Sequence, residues 1–198
     1  MTPRRPHPKY SQFRFDAGSI ALNFVTTVKH RGAQPRDLLS TPAALDDWFR
    51  RAGFSNLDVE SSFRDAEEAL LLREAVYRTV RALIIHETPQ AGDVNRINAT
   101  AAYSLAVPQL DAASYGVQWE SAHPIKACLA EVARDAVIII GSSERHRLKL
   151  CANPGCQMLF LDNSPANRRR WCAMSICGNR AKVTLHRQRK MGVSNECL

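Results

Sequence analysis

The residues best suited to chemistry lie close together near the carboxy end. Cys151-Ala-Asn-Pro-Gly-Cys156 is followed by fifteen residues and then Cys172-Ala-Met-Ser-Ile-Cys177. Four of the six cysteines thus fall within 27 residues, as two pairs with four residues between the members of each. Two short loops that each supply two thiolates build a tetrahedral site for zinc, a borderline-soft ion with Zn–S bonds of about 2.3 Å. Asn153-Pro154-Gly155 is turn chemistry, so the first pair sits on a tight knuckle. The second pair leads into a basic, helix-forming stretch, where exposed N–H groups and the helix dipole favour anionic sulfur. No histidine stands between Cys151 and Cys177. All four ligands are therefore expected to be Cys151, Cys156, Cys172 and Cys177, a closed site whose zinc is structural rather than catalytic. Ordinary buried thiols, two disulfides or an iron–sulfur cluster are the competing readings. Disulfides require an oxidising compartment.

Charge is concentrated in the same region. The chain carries +8 over 198 residues, but Arg145 to Lys190 holds eleven Lys and Arg against one acid, Asp162. That is a local +10 and leaves −2 for the rest. A basic patch beside a metal module is the footprint of a polyanion binder, although charged faces also serve solubility. The expected phosphate contacts are Arg168, Arg169, Arg170, Arg180, Lys182 and Arg187. Six contacts to a DNA backbone give log affinity against log salt a slope of about −5. Catalytic signatures are missing: there is no Gly-x-Ser-x-Gly, Walker loop, dinucleotide glycine pattern or His-Glu-x-x-His. The reading is therefore not that of an enzyme.

Four segments carry a resemblance: Cys151–Cys156, Leu159-Phe-Leu-Asp162, Arg168-Arg-Arg-Trp-Cys172 and Cys177-Gly-Asn-Arg-Ala-Lys182. Together they resemble the CGNR zinc finger. Upstream, Ile20-Ala-Leu-Asn-Phe-Val25, Arg31-Gly32, Asp37-Leu-Leu-Ser-Thr-Pro42 and Leu72-Arg-Glu-Ala75 resemble the ABATE domain that precedes that finger. The resemblance implies a bacterial, intracellular regulator of transcription induced by stress. Arg180 is the arginine of the finger's motif, and either contacts phosphate or holds the knuckle together.

The remaining sequence must position these groups. Phe13–Phe15 alternates like a short strand. Ser19 caps a helix expected to run to Lys29, with Ile20, Phe24 and Val28 on one face. Thr41-Pro42 starts a helix that Gly53 ends. Phe63 to His86 is the longest helix, with a stripe broad enough for burial on more than one side. Arg73-Glu74 interrupts it, as an exposed ion-paired edge or a ligand-facing couple. Asp93–Ala106 is a further helix. Val107–Leu110 and Val117–Glu120 form a small hairpin, and Pro124 begins a helix to about Ile140. Arg147–Leu150 and Met158–Leu161 read as a ribbon. A basic helix follows from about Ser175 to Lys190, with Asn179 as a local cap and His186, Arg189 and Lys190 along it. Phe160 and Trp171 pack beside the metal or stack on bases. Asn23, Arg73 and Arg134 are the candidates for a ligand pocket. Cys128 is a core thiol, and Cys197 lies in the tail.

The expected fold class is α+β: a mainly helical amino-terminal domain with a small hairpin, then a small four-cysteine finger of ribbon or treble-clef form with a carboxy-terminal helix. The expected units are an arm (1–12), the helical domain (13–144), the finger (145–191) and a tail (192–198). The short link at Arg145–Arg147 implies a finger seated on the helical domain. The start of the sequence is basic without a following apolar segment, and no run approaches the ~20 apolar residues of a membrane span. A reducing cytoplasm is the expected setting. The expected function is a DNA-binding transcription regulator with a structural zinc ion and an amino-terminal domain that senses a small-molecule effector or a stress signal. RNA and protein partners stand as alternatives.

Overall fold

The computed structural model describes residues 12–54 and 56–193, with side chains as far as Arg187 in the last helix. Nearly all of the expected arm, Cys197 and most of the tail lie outside the described residues, as do the side chains of Arg189 and Lys190.

Three features of the first thirty-odd residues differ from the sequence reading. Phe13–Phe15 forms no strand. That segment runs beside the finger, and Leu161 N donates to Ala17 O at 2.8 Å. The first helix, α1 (Ile20–Val25), is capped by Ser19 but stops four residues early. Thr26 and Thr27 follow it, and their hydroxyls donate to Asn23 O at 2.8 Å and Phe24 O at 2.7 Å. A β-branched run from Val25 to Val28 disfavours helix. The chain becomes β1 (Val28–Lys29), antiparallel to β2 (Arg36–Asp37).

Helix α2 (Pro42–Phe49) starts on the Thr41 cap with Pro at its first turn. Within the π-type turn that follows (Arg50–Phe54), Gly53 takes φ 107°, a left-handed conformation that suits glycine. Helix α3 (Phe63–Ile84) opens on a capping box of Ser62 and Asp65. Its Ala69, Leu72, Ala75, Val76 and Val80 are buried, whereas Phe63, the first residue of the helix, is 84% exposed. Helix α4 (Ala91–Ala101) and the long α5 (Pro124–Gly141) pack against α3. Between them β3 (Val107–Leu110) pairs antiparallel with β4 (Val117–Glu120), at the residues expected. Phe24, Trp48, Phe49, Leu72 and Leu129 fill the centre of the core.

A 3-10 turn (Ser143–Arg147) leads into the ribbon of β5 (Leu148–Leu150) and β6 (Leu159–Leu161). Strand periodicity divides β6 between two cores. Leu159 and Leu161 join the core of the helical body, together with Leu148 of β5. Phe160 faces the other way, into the cysteine cluster. The finger is thus seated on the body through apolar packing. Gly32 shows how closely: a Cβ there would lie 1.9 Å from the Pro154 carbonyl oxygen. The chain ends in a π-type turn (Met174–Gly178) and α6 (Asn179–Val193). Asn179 is not the cap. It is helical, and its side-chain amide donates to Ser175 O at 3.3 Å, because the helical path begins a turn earlier. Among the described residues no helix is long and apolar enough to cross a membrane.

Candidate metal centre and nucleic-acid interface

Local turns bring the four thiols together. Cys156 N donates to Asn153 O at 2.9 Å and Gly155 N to Asn153 Oδ1 at 3.1 Å, closing the first knuckle. Cys177 N donates to Ala173 O at 2.9 Å, closing the second. The two meet where Ala152 N donates to Arg170 O at 2.8 Å. A Cβ at Gly178 would lie 2.2 Å from Met174 Sδ and 3.2 Å from Trp171, so the Met174 side chain would have to move aside. Phe160, Met158 and Ile176 form the small core around the sulfurs, with half-buried Trp171 against it.

The four sulfurs are buried and lie within 4.8 Å of one another. Cys156–Cys172 and Cys172–Cys177 are each separated by 3.8 Å. A tetrahedron with Zn–S bonds of about 2.3 Å has edges of about 3.8 Å, so the donor set fits zinc. The same spacing is far too long for a disulfide, and all four cysteines are free. Mutual hydrogen bonds among the four hold the Cys151 thiol far below its ordinary value and push Cys156 above it. Four thiolates coexist here only around a cation.

Zinc with four thiolates carries a net charge of minus two, and burial of such a charge requires partners. The body supplies them. Arg14 is buried and donates to Cys172 Sγ at 3.6 Å and to Cys172 O at 3.4 Å. Asp16 holds the other edge of the guanidinium with bonds of 2.7 and 2.6 Å. Lys29 is 1% exposed, and its Nζ has no hydrogen-bond partner among the described atoms. Burial pulls its ammonium down to about 8 and Arg14 adds repulsion, while Asp16, Cys172 and Cys156 oppose. Arg169 closes the finger's own side. It donates to Cys172 O at 2.9 Å and lies 4.8 Å from the centre of the Phe160 ring.

The last helix presents a different surface. Arg180, Lys182, His186 and Arg187 are exposed along α6, and Arg168 and Arg170 are exposed on the preceding loop. Asp162, the single acid between Arg145 and Lys190, is fully buried. Its carboxylate accepts from Ser164 N, from Ser164 Oγ at 2.7 Å and from Arg169 N at 2.8 Å. Among the described residues from Arg145 to Arg187, therefore, no acid is exposed.

The profile of a family described as "Putative stress-induced transcription regulator", ABATE, matches residues 18–143. The chain belongs to the ABATE family. The profile of the CGNR zinc finger matches residues 147–190. The four clustered cysteines are those of the ABATE protein's finger, and its cofactor is a structural zinc ion. No protein of curated function matches the chain.

Among the expected phosphate contacts, five of the six cations lie exposed in the ABATE protein, and Arg169 turns inward to Cys172 and Phe160. The three pocket candidates do not converge. Asn23 Oδ1 accepts from Ala17 N at 3.0 Å. Arg134 donates to Ala101 O at 2.8 Å and Tyr103 O at 3.0 Å. Arg73, expected at an exposed edge or facing a ligand, is 3% exposed. It is held by Asp37 at 2.7 and 2.6 Å, Thr27 at 3.2 Å and Glu74 at 3.0 Å. A cavity of about 920 Å³ opens elsewhere, between the end of α4, the β3–β4 hairpin and the start of α5, beside Tyr103, Trp119, His123 and Lys126. None of the three candidates lines it. Sequence reasoning missed Arg14, Asp16 and Lys29. The sole trace of them is a charged residue set between aromatics in Phe13-Arg14-Phe15 and beside Val28 in Val28-Lys29.

Proposed function

We propose that this ABATE protein is a DNA-binding transcription regulator in which zinc holds a cationic helix in place and the helical body passes an effector or stress signal to it. The observation that carries the reading is the face formed by Arg168, Arg170, Arg180, Lys182 and Arg187, from which the region's one acid is withdrawn. A helix so polar gains nothing from burial, but it can lie along a phosphate backbone or enter a major groove. Arg169 belongs to the zinc shell, so the reading counts five phosphate contacts. The cavity beside Tyr103 and His123 is the place we assign to an effector, and the role is regulatory rather than catalytic. The units are the body (13–144) and the finger (145–191), and reduced thiols around zinc suit a cytoplasmic setting.

Seating of Leu148, Leu159 and Leu161 in the body's core provides the coupling, because a repacked body must move the ribbon that carries the first knuckle. The test is fluorescence anisotropy of the zinc-loaded protein on DNA across a salt series. Five contacts give a slope of about −4.5 on a duplex, and Cys156→Ser, which removes a ligand, abolishes binding. A salt-independent affinity, or full affinity in Cys156→Ser, refutes the reading.

A further inference from the structure

One feature of the cationic face is not explained by phosphate contact. A cavity of about 340 Å³ lies between the first knuckle and α6. The rings of Pro154 and Trp171 line it on one side, and Ala181 and Leu185, one turn apart on α6, on the other; Arg170 and Arg180 also line it. A surface that only neutralises phosphates has no use for an apolar slot, and Leu185 stands 54% exposed beside it. The volume is at the small end for ligand pockets, which run from about 300 Å³. That suits one flat ring system and not a groove-sized partner.

The walls specify what kind of ring. The Arg170 guanidinium lies 5.3 Å from the centre of the Trp171 ring, a pairing of the groups on which nucleobases stack. Two arginines at the slot, with no acid exposed between Arg145 and Arg187, select a ligand whose ring is flanked by negative charge. A base inside a duplex offers its edges and hides its faces, so filling such a slot requires a base that is out of the stack. We infer that the cavity between Pro154, Trp171 and α6 takes one unpaired nucleobase, with the neighbouring phosphates on Arg170 and Arg180. The finger then prefers a single strand to a duplex. This rests on the phosphate contacts of the nucleic-acid reading above and sets aside its major-groove mode.

The test compares four probes at one salt concentration: dT20, U20, a base-free 20-mer that keeps the phosphates, and a 20-base-pair duplex. One stacked base contributes about 1–3 kcal/mol, so dT20 or U20 should bind roughly tenfold more tightly than the base-free strand, and more tightly than the duplex. Whichever of dT20 and U20 binds better identifies the source of the base, and either result upholds the slot. Two variants narrow or open the slot without changing charge, Ala181→Phe and Leu185→Ser. Each should erase the preference for bases while leaving the salt slope and one zinc per chain intact. Because Leu185 is exposed, Leu185→Ser does not threaten the fold. Equal binding of all four probes overturns the slot and leaves the electrostatic reading standing. Failure to bind any of them overturns both. Unchanged strand affinity in both variants also overturns the slot as a base site and leaves it to an apolar protein side chain.

Discussion

Replacing Arg14 with Gln should loosen the zinc without touching a ligand. The guanidinium reaches Cys172 Sγ at 3.6 Å from within the body, and it is 9% exposed. A unit charge about 4 Å from a thiolate is worth about 4 kcal/mol at an effective dielectric of 20. Two costs reduce that figure. The arginine has been taken out of water, and Asp16 already claims its other edge. The net effect should fall in the range measured for groups that orient metal ligands, about 10–100-fold in affinity. The assay is competition with a chromophoric zinc chelator at fixed pH, paired with the rate of zinc loss to excess chelator. Arg14→Lys keeps the charge but not the fork, and should lie between wild type and Arg14→Gln. Asp16→Asn removes the competing anion, so it should leave zinc binding equal or tighter. If Arg14→Gln binds one zinc within twofold of wild-type affinity, the body does not stabilise the centre, and the charge argument fails.

Other outcomes follow from the same packing. Asp37→Asn leaves the Arg73 guanidinium, 4% exposed, with Glu74 as its remaining carboxylate partner. Loss of a partner from a buried pair costs about 3–5 kcal/mol, less where the carboxylate is partly exposed as here, so about 2 kcal/mol is expected at pH 7. Burial alone would raise the Asp37 carboxyl, but the Arg73 bonds and charge and the Leu39 N–H outweigh it and hold it below its ordinary value. Its contribution is therefore complete above the ordinary carboxyl range and is lost as pH falls through the depressed folded value. The gap between the two proteins in urea unfolding should be full at pH 7 and close below about pH 4. Gly32→Ala forces a methyl against the Pro154 carbonyl, with 1.9 Å available. A backbone shift there should cost about 1–3 kcal/mol, seen as a lower Tm and faster proteolysis between body and finger. Lys29→Met keeps the apolar stem and removes the unpartnered ammonium. If that charge serves the zinc centre, metal affinity should fall while the unfolding midpoint of the body holds or rises, measured by chelator competition and by circular dichroism.

Much of this architecture follows from local sequence. The caps at Ser19 and Thr41 and the prolines at 42 and 124 mark helix starts that the structure keeps. Pro108 and a link containing Gly116 marked β3 and β4 to the residue, and cysteine spacing marked the zinc set. These signals act within one turn or one hairpin, so neighbours in sequence carry them. Sequence periodicity failed where a β-branched run ended α1 early. It failed again where Arg73, an interruption in an apolar stripe, proved to be buried against the Asp37 carboxylate of β2.

The sequence by itself determined that this chain holds four thiolates on two knuckles, a basic helix behind them and a mainly helical body in front, because each is written in spacing, capping and periodicity over a few residues. Tertiary structure alone decided which charges face the metal and which face solvent. Arg14 and Arg169 look like any other arginine in sequence, yet one crosses 158 positions to reach Cys172 and the other folds back onto its carbonyl. Such choices depend on which surfaces the packing of Leu148, Leu159 and Leu161 brings into contact, and desolvation then assigns a partner to each buried charge.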